Sequence, residues 1–166
     1  MENEKYDLFD TLIYLFENYI QDDQDETAPH HFELLYDDLL KAGFRQSEID
    51  AAFTWLEGLE ELEAKAAAQQ SVSCRSTSLR HYSEDEAAVL GVECRGFILF
   101  LEQMGVLNHH SRETVIERVM ALQSDDFDLE QLKWVILMIL FNQPGSEAAS
   151  AWMEDIIIDE TPVHLH

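Results

Sequence analysis

Between Leu129 and Phe141 the chain is apolar almost all the way round a helical wheel. Leu129, Leu132, Val135, Ile136, Ile139 and Leu140 recur at helical spacing, while Trp134, Leu137, Met138 and Phe141 fill the opposite side. A helix with no face left for solvent belongs inside a bundle. Asp128 and Gln131 stand three apart at its start, the spacing at which two side chains satisfy exposed N–H groups reciprocally. Pro144 and Gly145 close it, since proline has no N–H with which to continue the ladder. The pattern predicts a central helix over Asp128–Asn142. Its apolar run falls well short of the roughly 20 residues that a bilayer span requires.

Amphipathic patterns surround that helix. Leu8, Leu12, Leu15, Phe16 and Tyr19 predict a first helix over about Glu4–Gln21, followed by an acidic loop over 22–27. Phe32, Leu35, Leu39 and Leu40 predict a second over about His31–Ala42, ended by Gly43. A third carries Ile49, Phe53, Leu56, Leu59 and Leu62, with Ser47 in the position of its N-cap. Beyond Ala64 the periodicity fades into an Ala-, Gln- and Ser-rich stretch, the best internal boundary. The segment 79–82 is the one place that tolerates a short extended stretch. Ser83 and Glu86 then form a capping box that opens a short helix to about Leu90. Cys94–Met104 predicts a further helix stopped by Gly105, Ser111 caps one bearing Val115, Ile116 and Val119, and Ser146 caps the last. These elements predict an all-α fold, a multi-helix orthogonal bundle of about eight helices. They group into an N-terminal three-helix unit (1–64), a linker (65–78), a C-terminal helical unit around helix 128–142 (79–160) and a loose tail (161–166).

Composition sharpens the picture. An apolar fraction of 46% supports a packed interior rather than disorder. The net charge of −24 is unevenly spread: residues 1–64 hold 18 acids against 3 bases, residues 65–118 hold 7 against 6, and the remainder 9 against 1. Such a surface repels nucleic-acid phosphates and anionic membranes and attracts basic partners. Cys74 and Cys94 form no CxxC pair, and Met1–Lys5 lacks the basic start and apolar core of a secretory signal. A cytoplasmic location with reduced thiols is expected.

Candidate chemistry is sparse. His30-His31 and His109-His110 are adjacent pairs, which diverge by about 100° on a helix and rarely chelate one metal. Paired carboxylates such as Asp37/Asp38, Glu60/Glu61 and Asp125/Asp126 read as solvated surface. No G-x-S-x-G elbow and no glycine-rich phosphate loop is present. The expectation is therefore a protein without enzymatic activity, metal or cofactor. The middle third concentrates cations at Arg75, Arg80, Arg95, Arg112 and Arg118. Pairing with acids of the N-terminal helices is one reading. The other is a basic patch of Arg80, His81, Tyr82, Arg95, Arg112 and Arg118 able to contact phosphate or nucleic acid.

Three blocks carry a resemblance to a known family: Cys94-Arg95-Gly96-Phe97 with Phe100-Leu101-Glu102-Gln103, Arg112–Val119, and Asp128–Val135. The N-terminal Phe9–Glu17 and the stretch from Ala42 to Leu56 extend it along nearly the whole chain. The sequence resembles the bacterial Smg protein family. What that implies is a small cytoplasmic protein of unknown function, with no catalytic residues to carry over. Two functions are expected from different classes. The first is an acidic interaction or adaptor protein that binds a basic protein partner; the alternative is a regulator that touches DNA or RNA through the middle arginines. No membrane partner is expected, and the oligomeric state is not legible.

Overall fold

The computed structural model describes residues 7–20, 31–68, 80–143 and 145–159. The acidic loop, His30, Cys74, Arg75, Leu79, Pro144 and the tail with His164 and His166 lie outside the described residues. Eight α-helices and no strand occur among those described. They are α1 (Leu8–Leu15, continued by a five-residue π-helical segment, Phe16–Ile20), α2 (His31–Ala42), α3 (Gln46–Ala68), α4 (Glu84–Val89), α5 (Val92–Gln103), α6 (His109–Ala121), α7 (Leu129–Asn142) and α8 (Glu147–Asp159). The extended stretch allowed near 79–82 has no regular structure over Arg80–Ser83. The chain divides into two compact units, 1–58 and 59–166, with the division falling inside α3.

In the first unit, α1 begins at Leu8 rather than near Glu4. Asp7 and Asp10 decide this, because each carboxylate accepts a hydrogen bond from the other's backbone N–H, at 3.0 and 3.1 Å. At the end of α2 the Phe44 N–H donates to Leu39 O (3.1 Å) and the Gly43 N–H to Leu40 O (3.2 Å). Gly43 sits at φ +104°, the left-handed conformation that closes a helix at little cost to glycine. Leu39 and Phe44 are both buried. Helix α3 starts at Gln46, so Ser47 lies inside its first turn and is not the cap. The Arg45 carbonyl accepts the first bonds instead, from the N–H groups of Glu48 and Ile49. Leu12, Leu15, Phe16, Ile49, Ala52 and Trp55 are buried. The Tyr14 and Phe44 rings lie 5.1 Å apart.

The second unit is organised around α7. Leu132 and the run Val135–Leu140 are all buried. Helices α6 and α8 make the largest contacts with it, and α5 packs on both α6 and α7. Asp128 and Gln131 form the predicted capping box, with the Gln131 N–H donating to Asp128 Oδ1 at 2.8 Å. For α6 the cap differs from the expected one. Asn108 is the N-cap, and Ser111 is its partner three residues on, each side chain accepting from the other's N–H at 2.8 Å. Lys133 is also buried, at 2% exposure; its ammonium reaches Glu130 at 3.2 Å and lies 5.8 Å from the Phe97 ring centre.

Candidate functional site

Four residues of the anticipated patch, Arg80, Tyr82, Arg95 and Arg112, meet in the second unit, where the segment before α4 joins α5 and α6. The capping box of α4 builds one side of this cluster. Glu86 accepts from the Ser83 N–H at 3.0 Å, which starts the helix, and the same carboxylate takes two bonds from Arg80 at 2.7 and 3.0 Å. Helix start and arginine clamp thus share one side chain. From α6, Glu113 takes two further bonds from Arg80, at 2.7 and 3.1 Å. A guanidinium held bidentately on two sides is oriented as well as neutralised.

The Asn108–Ser111 box fixes where Arg112 and Glu113 leave α6. Arg112 bonds Glu102 of α5 at 2.7 Å and Glu113 at 2.9 and 3.1 Å. His109 Nδ1 lies 3.0 Å from Arg112 Nη2. Guanidinium only donates, so Nδ1 is the acceptor in this contact. Beneath these pairs lies Tyr82, with Arg80 Cζ 4.9 Å and Arg95 Cζ 5.8 Å from its ring centre. Cations over an aromatic face are attracted to its negative quadrupole. Among the described residues the buried Arg95 Nε finds no hydrogen-bond partner.

Arg80 and Arg112 are shared among the three carboxylates Glu86, Glu102 and Glu113, while Arg95 meets the cluster through the Tyr82 ring. Titration follows from this geometry. Arg80 holds the Glu86 carboxyl below its ordinary value, against the opposing effect of burial. For Glu113, burial acts upward most strongly, and the combined hydrogen bonds and charges of Arg80 and Arg112 overcome it to leave the carboxyl lowered. The Arg80 guanidinium is raised by its bonds to Glu86 and then Glu113. Burial raises the Tyr82 phenol, and the nearby arginines only partly offset it.

Of the anticipated patch residues, Arg80, Tyr82, Arg95 and Arg112 converge. His81 is exposed, and its carbonyl accepts from Arg80 Nη1 at 3.3 Å. Arg118 lies six residues beyond Arg112 on α6, about 120° round the helix, and is buried with its Nη2 3.6 Å from Glu117. The acids that meet Arg80 and Arg112 belong to α4, α5 and α6, not to the N-terminal helices. As partners of these arginines, Glu102 and Glu113 have no signal in the sequence. Only Glu86 carried a signal, its place in the capping box. Cys94 is buried, and burial pushes its thiol up, away from nucleophilic reactivity. His110 Nε2 is 4.0 Å from Glu63. Among the described residues no His, Cys, Asp and Glu group has the arrangement to hold a metal, and no helix is long and apolar enough to cross a membrane.

Comparison with known proteins places the whole chain. The family model described as "Protein of unknown function (DUF494)" matches residues 8–166. A Protein Smg homolog of Nitrosococcus oceani is 50% identical over 162 residues, covering 98% of this chain and 99% of the relative. One from Alkalilimnicola ehrlichii is 50% identical over 161 residues, covering 97% and 98%. Protein Smg of Sodalis glossinidius is 46% identical over 159 residues, covering 96% and 100%. No solved structure matches.

Proposed function

We propose for this chain, which belongs to the Smg protein family of unknown function, the role of a non-enzymatic acidic interaction protein that binds a basic protein partner. One observation carries the reading. The cations best placed to form a positive patch, Arg80 and Arg112, are held by Glu86, Glu102 and Glu113, so their charge is neutralised locally on a chain whose net charge is −24. A field of that sign steers cationic surfaces toward the protein and makes their association salt-sensitive. The same pairing opposes the alternative of phosphate contact, because nucleic-acid binding uses cations free to displace counterions.

Tagged full-length protein incubated with lysate at low and at high salt tests the proposal. The expected result is capture of basic proteins that weakens as salt rises. Absence of any partner under both conditions refutes it. Nucleic acid titrated at low salt is expected to give no shift; binding lost in the Arg80→Ala/Arg95→Ala double variant would replace this reading with the nucleic-acid one.

A further inference from the structure

Helix α5 turns an unusual face to solvent. Its inner side is ordinary, with Cys94, Ile98 and Leu101 buried. On the outer side Val92 is 78% exposed, Leu99 39%, Phe100 44% and Met104, at the helix end, 59%. Between them lies exposed Gly96, and among the described residues of α5 the only charge on this side is Glu93. Arg95, at the edge of the face, is turned onto Tyr82. A largely apolar helix face carrying the single charge of Glu93 stands out on a chain of net charge −24, and exposed apolar surface marks interaction sites.

Gly96 is the second observation. It stands inside the helix, where glycine is less stable than alanine. A Cβ added there would meet nothing within 4 Å, so no internal contact requires its absence. Val92, Gly96, Leu99/Phe100 and Gln103/Met104 follow the i, i+4, i+7/8, i+11/12 row that a second helix packs against. A glycine in that row lets a facing backbone approach closely. Phe100 continues the surface onto α8 through Trp152, 6.4 Å away between ring centres, and Asp155 follows one turn further along that helix.

We infer that the outer face of α5 is the docking surface for an amphipathic helix of the basic partner, whose apolar side lies along Val92–Met104 and whose cations meet exposed Glu93 and, on α8, exposed Asp155. The inference rests on the basic-partner reading above and adds the place and the secondary structure of contact. Charge decides the occupant: a second copy would bring two strongly negative surfaces together, whereas a cationic helix gains from the same field.

The test uses isotope-labelled full-length protein and two peptides of about 18 residues, long enough for helix formation. One is a designed leucine–lysine amphipathic helix, the other the same residues in scrambled order. The expected result is about tenfold tighter binding of the amphipathic peptide, one well-packed contact's worth, with amide shifts centred on Gly96, Leu99, Phe100 and Met104. Gly96→Gln and Met104→Gln, which leave charge unchanged, are each expected to weaken binding about tenfold, with the thermal midpoint of Gly96→Gln equal or higher. Equal binding of both peptides with shifts spread over the acidic surface, or binding unchanged in both variants, overturns the α5 site and leaves the basic-partner reading standing. Failure of both peptides to bind at low salt removes both. Concentration-dependent shifts at the same residues without peptide make the occupant a second copy and overturn the inference.

Discussion

Replacing Arg80 by Met removes four charge-assisted hydrogen bonds while keeping an unbranched stem against Tyr82. Two limits bracket the cost. Exposed ion pairs contribute about 0–1 kcal/mol each, and breaking a buried pair costs about 3–5 kcal/mol. The Arg80 side chain is 19% exposed, but Glu113 is 39% exposed and therefore screened by solvent. Glu113 also keeps Arg112 when Arg80 is gone. A loss of about 2 kcal/mol at pH 7 follows from that intermediate burial. Its pH dependence is the sharper expectation. Glu86 and Glu113 titrate lower in the folded chain than their ordinary value. Their contribution is present above the unfolded carboxylate value of about 4.3 and is lost as pH falls through the depressed folded values. Urea unfolding of both proteins from pH 7 to pH 2 therefore shows the difference shrinking below about pH 4. A variant less than about 0.5 kcal/mol weaker at pH 7, or one whose deficit is the same at pH 7 and pH 2, refutes the account of the cluster.

Two further expectations concern the scaffold around it. Asn108→Ala is expected to cost about 1 kcal/mol of stability in urea unfolding, the usual loss of an N-cap; a change within error would place the α6 start elsewhere. In the central helix, Ile136 is wholly buried, so Ile136→Ala is expected to cost about 2–5 kcal/mol and Ile136→Val about 0.5–1.5 kcal/mol. Thermal and urea unfolding that barely distinguish these variants from the parent chain contradict the burial of α7.

What could be read along the chain was local. The apolar circumference of 129–141, the Asp128/Gln131 and Ser83/Glu86 boxes and the Gly43 stop each act within a turn or two of helix, so residue spacing alone reveals them. Where local signals competed, spacing was ambiguous: Ser111 and Asn108 are both capping residues, and their hydrogen bonds assign Asn108 as the cap. Arg80 and Glu113 are 33 residues apart. Among 34 acids nothing along the chain picks out Glu113 as the partner, because that choice depends on which faces of α4, α5 and α6 meet. The same holds for the outer face of α5, whose Val92, Leu99 and Phe100 match core residues in type. Hydrophobic periodicity says that a face is apolar, and only packing decides whether another helix covers it.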